Sequence, residues 1–208
     1  LNALGSADGV GDAARFRVPD GIVVDAEGNL YIGSNCTLRK IAPDGTVTTL
    51  AGKGGQGQES GKYGSQDGAG EQARFGHLSG LAIDRAGNVF VADSYNMNIR
   101  KVTPDGVVST IAGNEKARGG DDGPGPEARF NSPGGIAVDA AGNLYVGDAG
   151  NHAVRKITPD GTVSTFAGTS AAATRDGKGA VARFNHIGDM DLDAAGNLYV
   201  TETQSQTV

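Results

Sequence analysis

The sequence predicts an all-β fold of the β-propeller class, and three observations carry that prediction. A unit of about 55 residues recurs nearly four times along the 208-residue chain. Within each unit apolar residues return every second position, the period of a strand, and no helical period appears. The 35 glycines, far above the ~7% of an average chain, fall mostly in short motifs used once per unit.

The repeat is read from three motifs in register. DGVGDAARF begins at Asp8, and its counterparts begin at Asp67, Asp122 and Asp176, at offsets of 59, 55 and 54 residues. VDAEGNLYI from Val24 returns from Ile83, Val138 and Leu192. An Arg-Lys pair followed by Pro-Asp-Gly begins at Arg39, Arg100 and Arg155, and each leads to an alternating stretch ending in Ala-Gly.

The third unit shows why each piece folds as it does. Gly135 to Val138 alternates and forms strand a. Ala140-Ala141-Gly142-Asn143 is a tight turn, with Asp139 placed to accept backbone N–H bonds. Leu144 to Val146 is strand b, and Ala153 to Ile157 alternates again as strand c. Pro159-Asp160-Gly161 turns the chain, and Thr162 to Phe166 is strand d. Four antiparallel strands joined by hairpins make one twisted blade. On this reading the blades span about 17–52, 76–113, 131–168 and 185–208. The rings also repeat: Tyr31, Phe90, Tyr145 and Tyr199 in strand b, and Phe16, Phe75, Phe130 and Phe184 in the ARF motif. Large rings at fixed places suit packing between neighbouring blades.

The run from Pro133 to Ile157, with GIAVDAAGNLYV and VRKI inside it, resembles the NHL repeat, and the second unit follows closely. The resemblance covers nearly the whole chain and implies a propeller, usually of six blades. The DGxGxxARF lead-in is similar to bacterial and extracellular members. The family implies no single activity: its members include protein- and RNA-binding modules, receptor sensor domains, and lyases with metal at the central channel. At this blade length 208 residues make an arc of a larger ring, its fourth blade incomplete. Alternatively, residues 1–5 supply an outer strand that closes the fourth blade.

Composition excludes several classes. A single cysteine, Cys36, makes no intrachain disulfide. No apolar run is long enough to span a membrane as a helix. A net charge of −6 argues against a nucleic-acid groove, which needs a basic face. There is no GxSxG, P-loop or CxxC motif.

With the repeat as its own control, residues present in every unit belong to the blade, and residues that break the pattern are functional candidates. Fourteen of the 24 acidic residues sit at repeat positions and read as turn-ordering carboxylates. The recurring arginines and aspartates suggest ion pairs from blade to blade. His77 and His186 share one position ahead of strand a, where Val18 and Ser132 stand in the other units. Asp189 replaces a glycine, and Asp191 replaces Val23, Ala82 and Ala137. Two imidazoles and carboxylates beside a channel are the parts of a general-base or metal site. His77, His186, Asp189 and Asp191 are therefore the catalytic candidates, and His77, His186 and Asp189 the alternative metal ligands. Tyr63, in the long polar loop from Lys53 to Gln66, and Tyr95, in the b–c loop, are the aromatics free for contact.

The leading functional expectation is a non-catalytic binding or scaffold propeller outside the cytoplasm. It needs no cofactor and recognises a protein or other ligand through its loops, or associates with itself through open blade edges. The alternatives are a lyase or hydrolase at the channel mouth, assisted by calcium or zinc, and a self-assembling structural protein.

Overall fold

A computed structural model of the chain describes residues 5–54, 63–115 and 117–203. The first sheet contains β1 (Gly9–Val10), β2 (Pro19–Val24), β3 (Leu30–Ser34), β4 (Thr37–Ile41) and β5 (Thr46–Gly52). The second contains β6 (Gly68–Ala69), β7 (Leu78–Ile83), β8 (Val89–Asp93), β9 (Asn98–Val102) and β10 (Val107–Gly113). The third contains β11 (Gly123–Pro124), β12 (Pro133–Val138), β13 (Leu144–Asp148), β14 (Ala153–Ile157) and β15 (Thr162–Gly168). In the fourth, β16 (Ile187–Leu192) pairs with β17 (Leu198–Glu202). Helical content among the described residues is limited to single 3₁₀ turns such as Ser94–Asn96 and Ala149–Asn151.

The strands a to d read from the sequence are all present, and the structure adds one more. The first three sheets have five strands each, because the Gly-x step after the aspartate of the DGxGxxARF motif pairs antiparallel with strand d at the outer edge. Two-residue strands carry no readable alternation, so the sequence pattern does not reveal them. Residues 1–4, proposed as part of a closing strand, lie outside the described residues, and Gly5 lies in no strand.

The core lies between blades. Because strand side chains alternate, each sheet sends half of them forward and half back. Val89, Val91, Val102 and Val108 pack backward onto Tyr31, Leu38 and Ala51 of the first blade. Ala82, Phe90, Ile99 and Ala112 pack forward onto Phe130, Ile136, Val146 and Val163 of the third. Val154 and Tyr145 meet Ile187, Met190 and Phe184 in the same way. A fully buried side chain of this size contributes roughly 1.5–3 kcal/mol, so these interfaces hold the arc together. Faces with no neighbour among the described residues stay open: Ile22 and Val24 on the first blade, Tyr199 on the fourth.

Strand a of each blade lies innermost, against strand a of the next. Here glycine is required by space. A Cβ on Gly80 would overlap the Gly134 carbonyl oxygen, and one on Gly135 would lie 2.6 Å from the Gly188 oxygen. The a–b turns are fixed as expected: Asp139 accepts from the backbone N–H of Ala141 at 2.9 Å and of Asn143 at 2.8 Å. Asp25, Asp84 and Asp193 repeat the arrangement.

The expected ion pairs from blade to blade are instead formed within blades. Arg155, 1% exposed, donates to Asp148 at 2.9 Å and Asp122 at 2.6 Å, and both carboxylates belong to its own sheet or the loop feeding that sheet. Arg100 reaches Asp93 and Asp67 in the same way, and Arg39 reaches Asp8. The cause is the fifth strand, which carries the motif's aspartate to the outer edge of the blade that follows it in sequence. Arg74 and Arg129 turn back onto carbonyls of their own 3₁₀ or turn segments.

Candidate binding site at the channel mouth

The N-terminal ends of β2, β7, β12 and β16 surround an open concavity of about 960 Å³. It collects residues that break the repeat: Asp20, His77, Tyr95, Arg118, His186 and Asp189. His77 Nε2 lies 3.8 Å from Asp20 Oδ2, and its Nδ1 lies 3.3 Å from Ser94 Oγ. The imidazole also stacks at a tilt on Tyr95, with ring centroids 5.3 Å apart. Tyr95 is 71% exposed, so most of its ring faces solvent. Across the mouth, His186 Nδ1 lies 3.0 Å from Thr203 Oγ1. Asp189 Oδ1 accepts from the Met190 N–H at 2.9 Å, and its own N–H donates to Thr201 Oγ1 at 2.8 Å.

A rigid support lies beneath this rim. The buried Asp93 carboxylate accepts from the backbone N–H groups of Gly76, at 2.9 Å, and His77, at 3.1 Å. Asn96 Nδ2 donates to it at 2.7 Å. Burial pushes the Asp93 carboxyl above the usual carboxylate range, against these donors and the Arg100 charge. Asp148 repeats the arrangement under Ser132, accepting from the Asn131 N–H at 2.7 Å. In the fourth blade Glu202 does so, accepting from Asn185 at 2.8 Å. In the first, Ser34 Oγ accepts from the Arg17 N–H at 3.1 Å. The loop before strand a is thus pinned in every blade, and the variable residue that follows the pinned N–H projects at the rim.

Of the sequence candidates, the structure brings His77, His186, Asp189 and Tyr95 to one mouth. It does not bring in Asp191, which is exposed on β16 opposite Tyr199 and accepts from the Leu192 N–H at 2.8 Å. Tyr63 also stands apart, its hydroxyl 3.4 Å from Asn35 Oδ1, while residues 55–62 of its loop lie outside the described residues. His77 and His186 stand on the second and fourth blades, with the third between them. Among the described residues no three His, Cys, Asp or Glu side chains are close enough to hold a metal ion. Asp20 and Arg118 were not found from sequence. A signal existed for Asp20, which stands where the other units have Ser79, Gly134 and Gly188; Arg118 lies in an inter-blade loop of irregular length and gives none.

The pattern described as the NHL repeat matches residues 130–157. NHL repeat-containing protein 2 of Bos taurus is 32% identical over 163 residues, which are 74% of this chain and 22% of that protein. The chain belongs to the NHL-repeat β-propeller family. It spans about a fifth of that relative's length. Solved structures agree on the NHL-type fold. An auxiliary nutrient binding protein from Bacteroides thetaiotaomicron superposes with a TM-score of 0.66 at 22% identity, over 86% of this chain and 44% of that one. A catalytically inactive virginiamycin B lyase from Staphylococcus aureus, solved with quinupristin, gives a TM-score of 0.55 at 17% identity, over 98% and 52%. No helix among the described residues is long and apolar enough to cross a membrane.

Proposed function

We propose that the chain is a non-catalytic recognition propeller that binds a polypeptide segment at the channel mouth. One observation carries the reading: the residues that depart from the repeat gather on one rim. They supply an exposed ring (Tyr95), two carboxylates (Asp20 and Asp189), a guanidinium (Arg118) and two imidazoles (His77 and His186). That mixture suits a surface that reads side chains, with an aromatic anchor inside a polar rim. The concavity is open to solvent, as a peptide requires, and it stands on backbone fixed by Asp93, Asp148 and Glu202.

The metal-assisted lyase reading draws support from the likeness to virginiamycin B lyase, which is a likeness of fold. The spacing of His77 and His186 on separate blades favours recognition over catalysis. Self-association would use the open faces at Ile22 and Val24 and at Tyr199, and sedimentation across a concentration series tests it. The nutrient-binding likeness supports a setting outside the cytoplasm, which tracking the tagged full-length protein tests.

The experiment for the mouth is selection of a displayed random-peptide library on the chain. Peptides are expected to enrich that bind the chain and lose at least about tenfold in affinity on Tyr95→Ala or Arg118→Glu. No enrichment, or enriched peptides indifferent to both substitutions, would refute the reading.

A further inference from the structure

The channel mouth has one corner where a cation, an aromatic ring and an apolar floor meet, and it lies between the second and third blades. Arg118 and Tyr95 form its walls, and Met97, Pro133 and Ala149, all buried, form its floor. Both blades carry five strands. Tyr95 is 71% exposed, and His77 stacks against it, so part of the ring stays open. Arg118 is exposed, and its guanidinium has no ion-pair or hydrogen-bond partner among the described residues.

The other charges around it are engaged. Asp20, on the first blade, faces the His77 imidazole at 3.8 Å. Asp189, on the fourth, accepts from the Met190 N–H at 2.9 Å. The arginines of the repeat spend their forks on the blade: Arg129 holds the Pro126, Glu127 and Ala128 carbonyls, and Arg155 holds Asp122 and Asp148. Both walls of the corner stand on fixed backbone. The Gly119 carbonyl accepts from Asn151 Nδ2 at 2.6 Å, and the Gly119 N–H donates to the Phe130 oxygen at 3.3 Å. Asn151 is held in turn by the buried Asp148 at 2.7 Å. Beside Tyr95, Asn96 Nδ2 donates to Asp93 at 2.7 Å. The floor is joined across the seam between blades, with Met97 Sδ accepting from the Ser132 N–H at 3.2 Å. The Arg118 side chain therefore starts from anchored chain, which limits the ordering cost of binding.

We propose that this corner is the subsite for an acidic side chain of the bound peptide, with an adjacent apolar residue of that peptide seated on the floor beside Tyr95. The proposal rests on the reading of the mouth as a peptide site. A carboxylate suits Arg118 because it can accept two parallel N–H bonds from the planar fork. Met97, Pro133 and Ala149 supply the apolar contact, and the Tyr95 ring adds contact area at low entropy cost. The Arg118 charge repels a basic side chain at the same place.

A random-peptide library displayed by fusion at each peptide's C terminus, which removes the terminal carboxylate, provides the test. It is selected in parallel on the 208-residue chain and on its Arg118→Glu variant. The unaltered chain should enrich Asp or Glu beside an apolar residue, and the variant should enrich Lys or Arg at that place. Fluorescence anisotropy then follows a fluorescein-labelled peptide from the first pool. Replacing its acid with the amide should weaken binding at least about tenfold, from loss of a charge-assisted pair. Replacing the acid with lysine should give a peptide that binds Arg118→Glu more tightly than the acidic one does. Far-UV circular dichroism and a thermal melt confirm that the variant folds, and the acid-to-amide comparison needs no change in the chain. Peptides that lose affinity on Tyr95→Ala yet carry no acid, or bind equally as amides, would overturn this proposal and leave the mouth a peptide site. A pool with no enriched peptide would overturn both.

Discussion

Replacing Arg155 with methionine should destabilise the protein by about 3–5 kcal/mol, the usual result of removing one member of a buried ion pair. The same change at Arg39 should cost roughly 2 kcal/mol less, for reasons visible in the two sockets. Methionine keeps most of the side-chain volume, so packing changes little. Nothing is lost at Nε, which has no partner in either arginine. At both sites two carbonyls lose their donor, but at Arg155 the change also strands the Asp148 carboxylate, whose side chain is 0% exposed. At Arg39 the corresponding residue is Ser34, neutral and already bonded to the Arg17 backbone at 3.1 and 3.0 Å. The carboxylate left behind there is Asp8, 48% exposed and able to rehydrate. Urea unfolding followed by circular dichroism measures both variants, and the pair Asp148→Ser with Arg155→Met completes the comparison. That double variant should regain stability over Arg155→Met alone, because it rebuilds the first blade's neutral arrangement. The sign with pH follows. Burial raises the Asp148 carboxyl above its unfolded value of 3.8, so its ionisation counts against folding. Loss of the Arg155 charge raises that carboxyl further in the variant, so the Arg155→Met deficit should be full above the variant's folded value and shrink as pH falls through it. Equal losses at Arg39 and Arg155, or no recovery in the double variant, would refute this account of the sockets.

Two neighbouring glycines make a second contrast. Gly135→Ala places a methyl 2.6 Å from the Gly188 oxygen and 2.8 Å from the Asp189 Cα, and should cost about 1–3 kcal/mol. Gly134→Ala meets nothing closer than 3.7 Å and should stay within about 0.5 kcal/mol in the same urea assay. Asp122 tests acid unfolding. Burial alone would raise its carboxyl, but bonds from Thr165 and the Arg155 charge outweigh that and hold it below 3.8. Its contribution is full above the unfolded value and lost as pH falls through the lowered one, so Asp122→Asn should flatten the acid limb of a stability–pH curve. Cys36, 1% exposed with its thiol 3.2 Å from the Lys53 carbonyl, should resist a thiol reagent in the native state and react with the unfolding of the first blade.

The strands were legible in the sequence because short apolar or alternating runs, such as Val89-Phe90-Val91 on a strand buried on both faces, stand between recurring turn motifs. Repetition then multiplied the signal. The short fifth strand was not legible, since Gly68-Ala69 and Gly123-Pro124 have no side-chain pattern to read. The direction of the arginine pairs was also hidden. Arg155 and Asp122 recur together in sequence, but which sheet the aspartate joins is decided by the hydrogen bonds of that fifth strand. Four of the six candidate site residues reached one mouth because the rim is built from a single repeat position and its neighbours. Asp191 did not, because it lies two residues further along β16, opposite Tyr199 and beyond the strand end that lines the mouth. Arg118 lies in a loop whose length differs between blades, so no offset could place it.

The two ends of the innermost strands carry opposite kinds of information. At one end, Asp84, Asp139 and Asp193 recur without exception and spend their oxygens on the backbone N–H groups of their own turns. A carboxylate so engaged has little left for a ligand, and its invariance follows from the turn it holds. At the other end, the invariant atoms are backbone N–H groups pinned by Asp93, Asp148, Glu202 and Ser34, and the side chains they display differ in character from blade to blade. A repeat can vary a side chain there without disturbing the blade, because the fold depends only on the pinned backbone. Asp189 carries this furthest. It introduces a Cβ where Gly21, Gly80 and Gly135 have none, so on the side of β16 away from β12 no strand can lie as closely as β12 lies against β7. Such a substitution gives up the tight packing of innermost strands and places a carboxylate at the mouth, which is the pattern expected when recognition at the rim is selected over packing.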